Sequence, residues 1–173
     1  MDHYHIGIAL GISAGLLAGL LFVALLFKKK ILDMHFDERQ ELARGKAFQY
    51  GFLTLLATTY AYGISDILFG RWCDVLAGVA ICLAAGLCVF AVTCILKDAY
   101  LSLREKPGKF MVLFALLSLF NLGLGVMYGV SGGLVEDGVL TFRAVNPILG
   151  AATLLILIVY IADHLLRDRA EEG

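Results

Sequence analysis

The residues best placed for chemistry in this chain are Tyr50, Thr54, Thr58, Tyr62 and Asp66, which recur at intervals of four. At about 100° per residue such a series follows one slowly turning ridge of a helix, a polar stripe ending in a carboxylate. One reading makes it the wall of a hydrated path, with Asp66 as an ion or proton site. In the other, the threonine hydroxyls bond back to carbonyls one turn earlier and Asp66 lies at headgroup depth, with Arg71 its candidate partner. The second is the expectation, because Asp66 falls near the end of its apolar run. Other titratable sets are weaker. Asp163 and His164 are neighbours, and neighbours on a helix point about 100° apart, which suits them poorly for joint acid–base work. Met1-Asp2-His3, with His5 following, has the amine, amides and imidazoles that chelate Cu²⁺ or Ni²⁺, but two histidines in a tail are commonplace. No metal or cofactor is expected. The sequence has no HExxH, P-loop, nucleophile elbow or paired carboxylates, so the expectation is that the chain is not an enzyme.

Five apolar runs must position these residues, at about 6–27, 48–69, 75–96, 110–130 and 147–166. Each is long enough to cross a ~30 Å hydrocarbon core. Hydrophobic residues make up 60% of the 173, and mean hydropathy is +0.85, so little remains for anything but one integral membrane domain. Only helices and closed barrels satisfy the backbone in lipid, and the runs lack a barrel's alternation. The expected class is therefore all-α, a bundle of five transmembrane helices. Lysines and arginines segregate between alternate connections, twelve against two, with only Arg71 and Arg143 on the minority side. That bias predicts an N-terminus outside and a C-terminus in the cytoplasm of an inner (plasma) membrane. The first run is long, has no Lys or Arg before it and is followed by Lys28, Lys29 and Lys30, as in a retained anchor. Ten of fifteen acidic residues share the cytoplasmic side, which argues against a nucleic-acid partner. Cys82, Cys88 and Cys94 read as small packing residues within the third run, while Cys73 stands apart near the outer surface.

Small and polar residues predict how the helices meet. Gly7, Gly11, Gly15 and Gly19 form a glycine zipper on the first span, and Gly125 and Gly129, with Gly133, form a shorter series on the fourth. Close backbone approach at small residues holds helices together in lipid, and pairing of these two surfaces is one economical arrangement. Asn121, deep in the fourth span, is expected to seek an interhelical hydrogen bond. In the connections, Asp37 followed by Gln40 is a capping pattern that starts a helix in the cytoplasm and runs on into the second span. Asp137-Gly138, between 134–136 and 139–142, predicts an outer β-hairpin. Asn146-Pro147 reads as the cap and first residue of the last helix, and Pro107-Gly108 as a break before the fourth.

Asp37-Glu38-Arg39-Gln40, then Arg44-Gly45-Lys46-Ala47-Phe48 at the entry to a span, resembles uncharacterised small multi-span membrane proteins of Gram-positive bacteria. Those share a DERQ-like box, an RGKA-like box and an aromatic-rich span. The resemblance implies a bacterial plasma-membrane address and marks Asp37, Glu38, Arg39, Gln40, Arg44 and Lys46 as candidates for docking a protein partner. The same residues also read as a helix-entry device, with acids at the N-terminus and Arg44 and Lys46 at the anionic headgroups. The expected function is thus a non-enzymatic accessory or regulatory membrane module. The alternative is a homo-oligomeric transport or channel subunit lined by Thr54, Thr58, Tyr62 and Asp66.

Overall fold

The structure is a computed structural model that describes residues 36–101 and 107–171, with positions 10, 14, 15, 17–19, 21, 24, 25 and 28 of the first run. The chain divides into two units, Met1–His35 and Phe36–Gly173. In the first, the described positions, Gly15 and Gly19 among them, are helical, whereas Gly7 and Gly11 lie outside the described residues. So do Met1, His3 and His5 of the candidate chelating tail.

The second unit holds four helices long and apolar enough to cross a membrane. They are α1 (Glu38–Phe69), α2 (Val75–Leu96), α3 (Pro107–Val130) and α4 (Val145–Glu171). Between α3 and α4 lie β1 (Val135–Glu136), β2 (Val139–Leu140) and a 3-10 turn, Phe142–Ala144. In space α1 packs on α2, α2 on α4 and α4 on α3, so the helices stand in a row. Outward faces are strongly apolar: Ile67, Phe69 and Val130 are 83%, 80% and 87% exposed, a surface suited to hydrocarbon.

Glycines set the spacing of that row. A Cβ on Gly51 would fall 2.8 Å from the Gly86 carbonyl oxygen, and one on Gly86 would fall 2.9 Å from that of Gly51. The α1 and α2 backbones therefore nearly touch at this crossing. On the other flank, a Cβ on Gly125 would come within 2.6 Å of Pro147, and one on Gly150 within 2.9 Å of Leu122. Gly125 thus faces α4, Gly129 meets Leu134 and Gly133 meets Arg143, all inside this unit. Ser118 Oγ, buried, donates across the α3–α4 seam to the Gly150 carbonyl at 3.0 Å. Asn121, expected to make that kind of bond, instead donates to Leu117 on its own helix at 2.8 Å. The amide is satisfied by the carbonyl one turn back, although the Asn121 Cβ lies against Gly150 of α4.

Local signals in the connections resolve as follows. Asp37 caps α1 through a complete capping box with Gln40, and the helix runs unbroken for 32 residues. The hairpin forms with Val135 opposite Leu140 and Glu136 opposite Val139. Its turn residues, Asp137 and Gly138, take φ of 52° and 80°, both in the left-handed region. Two expectations need correction. Pro107 opens α3 rather than interrupting the loop before it, because the first turn of a helix needs no donor from it. Asn146 is not a cap, since the 3-10 turn leads directly into α4 at Val145 and Pro147 sits within its first turn.

The hairpin does not stand free. Leu140 accepts from Asp74 N–H at 2.8 Å and donates to the Trp72 carbonyl at 2.9 Å, which knits β2 to the α1–α2 connection. Cys73 is buried there beside Ala77 and Ala144, at 1% exposure. Arg71 pairs with Asp74 at 2.6 Å rather than with Asp66. Arg143 pairs with Glu136 at 3.3 Å, so both minority-side cations meet a carboxylate.

Candidate functional site

Polar groups concentrate at the opposite end of the row, where α1 begins, α2 ends and α4 runs out. The turn after α2 is a Schellman cap: Asp98 N–H donates to Ile95 at 2.9 Å and Ala99 N–H to Cys94 at 2.8 Å. Its left-handed position, φ 52°, is held by Asp98 instead of the usual glycine. Such a turn exposes a run of carbonyls, and three side chains of α1 take them in order. Arg39 donates to Lys97 O at 3.2 Å and Gln40 to Asp98 O at 2.9 Å. Arg44 donates to Ala99 O at 3.0 Å and Tyr100 O at 3.4 Å, and Gln40 reaches Leu101 O at 3.5 Å. Five successive carbonyls, 97–101, are so bound.

Gln40 is the pivot. Its Oε1 accepts from the Asp37 N–H, closing the capping box, while its Nε2 donates to the α2 turn. A glutamate would serve the first task as well and fail the second, because a carboxylate cannot donate. The Gln40 side chain is buried, at 3% exposure. Arg44 is steadied by its guanidinium lying 4.1 Å from the Phe36 ring centroid and 5.7 Å from that of Phe90. The Asp98 carboxylate accepts from Arg39 at 3.3 Å and lies 3.9 Å from Arg167. Arg167 in turn bonds Asp163 at 2.8 Å and reaches the Ile95 carbonyl at 3.4 Å, tying α4 to the same turn. Beneath it Phe110 packs against Tyr100 and Tyr160, each with centroids 4.9 Å away.

A cavity of about 230 Å³ opens here, lined by Gln40, Asp98, Tyr100, Asp163, His164 and Arg167 among others. Its chemistry is limited. Both carboxylates are held by Arg167, and His164 faces Asp168 at 3.6 Å, not Asp163, so among the described residues no free base meets a nucleophile there. Among the described residues, no three His, Cys, Asp or Glu side chains gather as a metal site.

The six candidate docking residues therefore divide. Arg39, Gln40 and Arg44 bond the chain's own α2 turn, Arg39 while still exposed, and Asp37 caps α1. Glu38 and Lys46 remain exposed, as does Leu42, at 71%, between them. The stripe lies apart from this end. Thr54 and Thr58 donate to Tyr50 and Thr54 carbonyls at 2.9 and 2.8 Å within α1. Tyr62 lies over Gly78 of α2 and edge-on to Trp72, with centroids 5.8 Å apart, and Asp66 is exposed. Sequence reasoning missed the Gly51–Gly86 crossing, although Gly78, Cys82 and Gly86 recur every four residues on α2. It also missed Asp98 as the receiver of the motif, for which a lone charged residue after a span gives no signal. No family model, curated protein or solved structure matches the chain.

Proposed function

We propose that this chain is a five-span protein of a bacterial plasma membrane, N-terminus outside, whose clamped end is a cytoplasmic docking platform. Its role is non-enzymatic: an accessory or regulatory module that holds another protein against the membrane. The observation that carries this reading is the division of the motif. Three long side chains fix the start of α1 to the turn after α2, which removes the entropy cost of ordering a surface on binding. The same helix then presents Glu38, Glu41 and Leu42 outward, an apolar residue amid charge beyond the apolar run of 48–69. The Lys/Arg segregation supports the orientation, and the two cations on the other side are each paired with a carboxylate. The transport alternative has less support, because the stripe's threonine hydroxyls are occupied by their own helix.

Purification from native membranes after cross-linking through a photoreactive residue at position 42 tests the reading. A single foreign protein at stoichiometric yield, lost in Leu42→Glu, is expected. Cross-links only between copies of this chain would overturn it in favour of the homo-oligomer.

A further inference from the structure

A second cleft, of about 560 Å³, lies between the start of α1 and the end of α2. Glu38, Arg39, Leu42, Lys46 and Tyr50 are among the residues that line it from α1, and Thr93 and Lys97 line it from α2. Arg39 is already committed to Asp98 and the Lys97 carbonyl. Lys46 and Lys97 are exposed, and neither has an ion pair among the described residues. Two ammonium groups lining one cleft, neither ion-paired among the described residues, give it a positive field that attracts an anion. Glu38 is a poor candidate, being eight residues, about 12 Å along the helix, beyond Lys46.

Depth decides what that anion is. Lys46 stands just before the apolar run of α1, and Lys97 caps α2 immediately after Leu96, so both amines sit where the helices leave hydrocarbon. Tyr50 and Thr93 lie one turn deeper on their helices, where their hydroxyls can donate to ester or phosphate oxygens. A helix C-terminus ordinarily repels anions. Here Thr93, Cys94 and Ile95 carbonyls are taken by the cap and that of Lys97 by Arg39. We propose that this cleft binds the phosphodiester of an anionic phospholipid of the phosphatidylglycerol class, seated between Lys46 and Lys97, with its chains along α1 and α2 below. Basic pockets between helices at a membrane face recognise lipid headgroups in this way. The inference rests only on these helices crossing a bilayer; Leu42 of the proposed docking surface lines the same cleft, on the far side of Lys46 from the apolar run.

Native mass spectrometry of the whole chain in neutral detergent, titrated with phosphatidylglycerol or phosphatidylcholine, tests it. Lys46→Gln/Lys97→Gln should weaken phosphatidylglycerol binding about 30-fold, the sum of two lysines at an anionic headgroup. Phosphatidylcholine binding should not change, and Arg169→Gln, on the exposed end of α4, should bind like the parent. The double variant should still fold, since neither side chain has an ion pair among the described residues. Equal affinity for the two lipids would overturn the proposal, as would an undiminished preference in the double variant. Displacement by inorganic phosphate at the lipid's own concentration would overturn it in favour of a soluble anion.

Discussion

Gln40→Glu is nearly isosteric and should separate the two tasks of this side chain. The capping box survives, because a carboxylate oxygen accepts from the Asp37 N–H as well as the amide oxygen does. The donor to Asp98 O at 2.9 Å and Leu101 O at 3.5 Å is lost, and an anion faces two carbonyls at a site 3% exposed. One net hydrogen bond and the penalty for unsatisfied buried acceptors come to about 2–4 kcal/mol. For a chain of this size that lowers the melting temperature by roughly 4–16 °C. The loss should depend on pH with a definite sign. Burial against carbonyl oxygens raises the pKa of the new carboxyl in the folded state, so folding favours its protonated form. Its deficit relative to the parent is therefore small below the ordinary carboxyl pKa of about 4.3, grows as pH rises, and levels off above the raised value. Thermal unfolding in detergent from pH 4 to 8, with Glu41→Gln on the exposed side of the same turn as control, reads this directly. If Gln40→Glu melts with the control at pH 8, or its deficit fails to shrink in acid, the clamp does not hold the α2 turn.

Three further substitutions probe the packing. Gly86→Leu puts a side chain where a Cβ alone would sit 2.9 Å from the Gly51 carbonyl, and should cost at least the ~1–3 kcal/mol of overpacking in detergent unfolding. Gly138→Val forces a β-branched residue to φ 80° and should cost about 1–2 kcal/mol, with faster amide exchange at Val139 and Leu140. The Cys73 thiol is pushed up by burial and then by the Asp74 carboxylate, so the folded chain keeps its proton longer than the unfolded one does. Stability from this group is thus full below the ordinary thiol value near 8.5 and falls as pH climbs above it, a slope that Cys73→Ala should remove, while maleimide labels Cys73 slowly at pH 8.

What could be read from the sequence was local. Asp37 and Gln40 are three residues apart, so the capping box is written within one turn, and Asp137-Gly138 dictates its own turn. Partners distant in sequence were not legible. The carbonyls that Arg39, Gln40 and Arg44 bind lie 55–61 residues away, and nothing in either segment names the other. A motif that looks free for a partner is thereby half consumed inside the fold. Arg71 went to Asp74 because three residues on in the same connection is closer than Asp66 back along α1. The interhelical bond to Gly150 came from Ser118, while Asn121, packed against the same glycine, bonds its own helix.

The orientation of the clamped end underlies the docking proposal, and cysteine accessibility in intact cells tests it most directly. In a background with all four native cysteines replaced, a membrane-impermeant maleimide should label His3→Cys and Asp137→Cys from outside. Glu38→Cys and Glu105→Cys should label only after the cells are permeabilised. Labelling of Glu38→Cys in intact cells, with Asp137→Cys protected, would invert the protein and put the platform on the wrong side of the membrane.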